Sequence, residues 1–162
     1  MLHQTFLQNS PIKEMCMQYI IYTDGAYSTE RRVGAWSFLI YTEDKFLTWL
    51  SGRSVSIKSP TFAEDIAVGL ACHYLYTHCN LTDEDEIIIY SDSLSTINLF
   101  NGVMSGKRKA KHKDILVADS IQNVLDVRNK CDITFVKVHG HKNSLSPNTC
   151  VNRMANYYMK RA

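Results

Sequence analysis

Three acids stand out by where they fall in the chain: Asp24 in YIIYTDGAYS, Glu64 in SPTFAEDIAV and Asp92 in IIIYSDS. Asp24 and Asp92 each follow a compact run of β-branched and aromatic residues, the composition of a strand buried on both faces. Glu64 lies in the opening turns of a stretch with helical spacing. Ligand and catalytic sites in open α/β sheets form at strand ends. If the two strands are parallel neighbours, Asp24 and Asp92 come within a few ångströms of each other and Glu64 leans over them. Three carboxylates that close repel, and they stay ionised together only where cations neutralise them. An all-oxygen ligand set suits Mg²⁺ or Mn²⁺ rather than a soft metal. Hydrolysis of a phosphodiester with hard metal ions is the chemistry that this arrangement indicates.

Each acid also has a simpler reading. Asp24-Gly25 after a strand is a common turn signal. Asp92 before Ser93 can be a helix cap. An acid such as Glu64 near a helix start favours the helix dipole. Taken singly, the simpler reading is the commoner one. Their joint occurrence, at two strand ends and one helix start, tips the balance towards a site.

Hydrophobic periodicity supplies the elements that must position these residues. YIIYT (19–23) reads as a strand ending at Asp24-Gly25, with a turn after it. GAWSFLIY (34–41) and KFLTWLSG (45–52) read as two further strands joined by a hairpin-length connection, so the chain opens as an antiparallel meander. From Ser59-Pro60 the spacing turns helical, with Ala63, Ala67, Leu70, Ala71 and Tyr74 on one stripe and Pro60 in the first turn. EIIIYSDS (86–93) predicts a buried strand ending on Asp92, with a short helix from Ser93. A helix over 114–128, a strand over 133–138 and a helix over 148–161 complete the pattern. Helices that connect the later strands predict an α/β fold with a mixed sheet and parallel crossovers.

The 162 residues suit a single domain with a core of its own, and 45% hydrophobic with 21% charged residues describes an ordinary globular chain without linkers. No apolar run is long enough to span a bilayer, and the first residues lack the basic start and apolar core of a signal peptide. A cytoplasmic protein is expected. Cys16, Cys72, Cys79, Cys131 and Cys150 are odd in number and show no CxxC spacing, which predicts reduced thiols rather than a zinc site or a disulfide framework. Five of the 18 basic residues, Lys107, Arg108, Lys109, Lys111 and Lys113, fall within KRKAKHK and form a cluster able to meet a polyanion.

Taken together, YTDGAYS, SPTFAEDIAV, YSDS and VHGHKNSLSPNTCVNRMAN resemble, in order, the motifs of type 1 ribonuclease H, the family that cuts RNA in RNA–DNA hybrids. The resemblance spans residues 18–162 and leaves 1–17 as an N-terminal extension. It implies a ribonuclease H-like fold, five mixed strands in spatial order 3-2-1-4-5 with helices on both faces, and a monomer. It also implies two Mg²⁺ ions, which Mn²⁺ can replace. Asp24 would bridge both, Asp92 and residue 152 would hold the ion that activates water, and Glu64 the ion at the leaving oxygen. In-line attack would leave 5′-phosphate and 3′-hydroxyl ends.

The same resemblance assigns further residues and exposes two departures. Asn148 matches the family's Asn in the closing motif, but Asn152 stands where the family has its fourth catalytic Asp. An amide oxygen can coordinate a metal yet brings no charge, so weakened or abolished turnover is expected. A catalytically silent hybrid-binding module is the alternative reading. His141 aligns with the loop histidine thought to aid protonation and product release. Before the helix Glu the family usually has Thr-Asn-Asn. Ser59-Pro60-Thr61 keeps the first hydroxyl, which makes Ser59 the expected phosphate contact, and loses both amides, with Thr61 the weaker substrate contact. The basic run corresponds to the family's basic protrusion, which holds the DNA backbone by charge.

Overall fold

A computed structural model describes residues 16–43 and 45–139. Eight elements follow one another: β1 (Gln18–Ser28), β2 (Val33–Thr42), β3 (Lys45–Ser54), α1 (Pro60–His78), β4 (Glu86–Ser91), α2 (Leu94–Met104), α3 (Ile115–Arg128) and β5 (Asp132–Lys137). The five strands form one mixed sheet in the order β3-β2-β1-β4-β5, as the resemblance implies. β1, β2 and β3 pair antiparallel as a meander, whereas β1 with β4 and β4 with β5 are parallel. The expected helix over 148–161 lies outside the described residues.

Alternation along the strands sends one set of side chains to the core. Tyr19, Ile21, Phe38, Ile40, Ile87 and Ile89 are buried together with Val68, Ala71, Cys72 and Leu75 of α1 and Val117, Ile121 and Val124 of α3. Phe100 of α2 is fully buried and stacks on Phe135 of β5, ring centroids 5.7 Å apart. Burying these groups in a shared core fixes α1 and α3 against the sheet and so fixes where Glu64 can reach. β3 closes one side of the sheet, and Phe46, Leu47, Trp49 and Leu50 on it stay exposed. Cys16, Cys72, Cys79 and Cys131 are free thiols, as expected, and burial pushes the Cys72 thiol up to about 12.

One expectation fails. Asp24-Gly25 is no turn: β1 runs on to Ser28, paired with β2 through Asp24↔Ser37, Gly25↔Trp36 and Ser28↔Val33, and the chain reverses only over 29–32. Gly25 has another task. A Cβ built there would lie 2.4 Å from both the Ala63 carbonyl carbon and the Glu64 nitrogen, so the glycine marks the place where α1 crosses β1 at backbone distance. What does end at this point is the parallel ladder with β4, whose last pair is Tyr22↔Tyr90.

Candidate active site

Past that last pair the two chains part, and Asp24 and Asp92 lie two residues beyond it on either side. α1 descends onto Gly25 and carries Glu64 to the same place. One carboxylate oxygen from each of Asp24, Glu64 and Asp92 lies within 4.8 Å of the others. Among the described residues this is the one cluster of acids, histidines or cysteines close enough to share a metal ion.

The simpler readings of the three acids do not hold. Asp24 sits inside a strand, 3% exposed, and its Oδ1 accepts the Gly25 N–H at 3.0 Å. Ser93 rather than Asp92 caps α2, its hydroxyl oxygen accepting from the Thr96 N–H. Glu64 is the fifth residue of α1, whose first turn holds no acid.

Burial, the neighbouring Asp24 charge and its hydrogen bond, and then Asp92, push the Glu64 carboxyl well above the usual carboxylate range; the Gly25 N–H opposes them. Glu64 Oε2 is buried and has no hydrogen-bond partner among the described residues. A buried carboxylate oxygen without a donor, facing two more carboxylates, is costly without a counter-charge and favourable around a cation. Three oxygen donors of this kind fit a hard divalent ion such as Mg²⁺ or Mn²⁺.

The substrate residues expected from the sequence fall at the head of α1, on the α2–α3 loop and beyond β5. Ser59 is the N-cap of α1, its Oγ accepting the Phe62 N–H at 3.1 Å, which leaves its hydroxyl proton for an outside acceptor. Pro60 occupies the first turn, where its missing N–H costs nothing, and Thr61 is exposed. Lys107, Arg108, Lys109, Lys111 and Lys113 stand exposed on the loop between α2 and α3. The loop is fastened at both ends: the Arg108 N–H donates to the Gly102 carbonyl at 3.0 Å, and the His112 ring meets Phe62 of α1 edge-on at 5.2 Å. His139 is exposed just after β5, while His141, Asn148 and Asn152 lie outside the described residues.

Sequence reasoning missed Asp65. It is 2% exposed and its Oδ1 accepts the Thr96 hydroxyl at 2.7 Å. Burial raises its carboxyl to about 6 against the lowering effects of Thr96 and His112. The signal was present, because Asp65 heads the helical stripe Val68, Gly69 and Cys72, all of them buried.

A family model for RNase H matches residues 17–160. No curated protein matches the chain by sequence. Among solved structures, the N-terminal RNase H domain of Rv2228c from Mycobacterium tuberculosis superposes with a TM-score of 0.65 at 18% identity, over 90% of this chain and 95% of that one. RNase H1 from the halophilic archaeon Halobacterium salinarum gives 0.58 at 16% identity, over 90% and 99%. LC11-RNase H1, solved in complex with an RNA/DNA hybrid, gives 0.62 at 18% identity, over 88% and 97%. At such identities the superpositions speak for a shared fold.

Proposed function

Because this chain belongs to the RNase H family, we propose that it hydrolyses the RNA strand of RNA–DNA hybrids endonucleolytically, leaving 5′-phosphate and 3′-hydroxyl ends. The observation that carries the proposal is the meeting of Asp24, Glu64 and Asp92 within 4.8 Å, with the buried Glu64 Oε2 lacking a donor. These three residues would hold the divalent ions, Mg²⁺ or Mn²⁺. When bound, such ions polarise the phosphodiester and supply an activated water at neutral pH.

The remaining residues bind and orient. Ser59 offers a hydroxyl proton to a backbone phosphate from the head of α1, where the helix N-terminus also favours an anion. The exposed lysines of the α2–α3 loop attract the opposite backbone by charge and carry no sequence information. Hybrid shape and the 2′-hydroxyl would set preference for the duplex, so cleavage with little sequence specificity is expected. His141 is assigned to protonation and product release, a role for which an imidazole titrating near neutrality is suited.

Asn152 favours a second reading, a module that grips hybrids without cutting them. Both are tested by one comparison: hybrid cleavage by this chain and by its Asn152→Asp variant, side by side in Mg²⁺ and in Mn²⁺. The restored carboxylate is expected to raise the rate by at least about 10-fold, the low end of what a lost ligand or orienting group costs a metal site. Salt-sensitive hybrid binding by both forms with cleavage by neither would instead establish the binding module.

A further inference from the structure

A chain of hydrogen bonds, buried at its Thr96–Asp65 link and part-buried through Ser93, joins the elements that present Glu64 and Asp92. Thr96 of α2 donates its hydroxyl proton to Asp65 Oδ1 at 2.7 Å, and its oxygen accepts the Ser93 hydroxyl at 2.9 Å. Ser93 Oγ in turn accepts the Thr96 N–H at 3.3 Å, which closes the cap of α2. The Ser93 N–H donates to Ser91 Oγ at 3.1 Å, a bond that spans Asp92 itself. Asp65, Ser91 and Thr96 are 2%, 0% and 0% exposed, so water is kept from the Thr96–Asp65 bond, while Ser93 between them is half-buried.

Asp65 follows Glu64 directly in α1, and Ser93 follows Asp92 directly at the start of α2. The chain of bonds therefore fixes the spacing between two acids that repel each other and sit on separate elements. Removing a group from such a network leaves a buried polar atom without a partner and frees the short segment that carries Asp92. We propose that Asp65 and Thr96 are positioning residues of the metal centre, holding Glu64 and Asp92 at the separation a divalent ion requires. The inference rests on the metal-binding reading given above. It assigns a part to residues that touch neither metal nor substrate.

Thr96→Val keeps the shape of the side chain and removes the hydroxyl; Thr96→Ser keeps the hydroxyl. Mn²⁺ affinity of the metal-stripped proteins, read by calorimetry without any substrate, tests the idea directly, with the thermal midpoint and hybrid cleavage measured alongside. The expected result is Mn²⁺ binding weakened by about 10-fold in Thr96→Val, the lower end for groups that orient ligands, with recovery in Thr96→Ser. Turnover should fall with no change in the KM for hybrid. A Thr96→Val protein that melts earlier but binds Mn²⁺ like the parent would overturn the proposal and leave Thr96 a structural partner of the Ser93 cap. Failure of the parent chain itself to bind Mn²⁺ would remove the metal reading, and this inference with it.

Discussion

Glu64 and Asp65 are adjacent carboxyls that burial pushes upward, Glu64 well above its ordinary range and Asp65 to about 6. A raised folded-state value means that the folded protein favours the protonated acid. The associated stability is complete below the unfolded-state value and is lost as pH rises through the folded one. For Asp65 the window runs from about 3.8 to about 6. With metal removed, the protein should therefore become less stable as pH rises across that range. Asp65→Asn should cut the loss by on the order of 3 kcal/mol, and Glu64→Gln should flatten the curve further. A divalent ion held by the ionised acids, as proposed above, should restore stability at neutral pH by mass action. Denaturant titrations at several pH values, with chelator and then with metal, check both parts; stability that rises with pH in chelator would contradict them. Asp24, Glu64 and Asp92 were legible in the sequence because two aspartates follow β-branched runs and the glutamate opens a helix. Asp65 was not read, since a charged residue beside Glu64 looks like ordinary surface until the stripe of Val68, Gly69 and Cys72 below it is traced.

The close approach of β1 and α1 decides whether the acids meet. A side chain at position 25 would press on the backbone at Ala63 and Glu64, which cannot yield without moving the helix. Gly25→Ala is thus expected to lower stability by about 1–3 kcal/mol, as overpacking does, and to displace Glu64 enough to abolish cleavage. Gly102→Ala provides the contrast. There a Cβ would meet the flexible stem of Arg108 at 2.8 Å inside α2, and the gain in helix propensity should leave the protein near neutral or more stable. Thermal melts of the two variants, with cleavage assays, check the pair; equal losses would show that strand and helix do not need this proximity. The order and type of the described elements could be read in advance because period-two and helical patterns each held over long stretches. The end of β1 could not. Asp-Gly favours a turn locally, but the pairing partner in β2 and the approach of α1 override that preference.

The formal net charge of the whole chain is only +2, so affinity for a polyanion must come from where the charges sit. Five basic residues stand on one exposed loop, anchored at Gly102 and Phe62. Replacing Lys109, Lys111 and Lys113 together by Gln should weaken hybrid binding and reduce its salt dependence by about 0.9 in logarithmic slope for each phosphate that is no longer neutralised. The rate at saturating hybrid should not change, because the three lysines are assigned to holding the backbone by charge and not to the chemical step. Binding isotherms at several salt concentrations, set beside single-turnover rates, check this; an unaltered slope would place the polyanion elsewhere on the surface. The sheet order has a consequence in time as well as in space. β1 finds β2 across a tight reversal, but Gln18 pairs with Glu86, 68 residues further along the chain. During synthesis the meander can form while the partner of β1 is still unmade, and closing so long a loop is slow. The two aspartates are therefore strangers for most of the protein's early life, and the cluster of three acids is a late event in folding that no N-terminal fragment ending before β4 can possess.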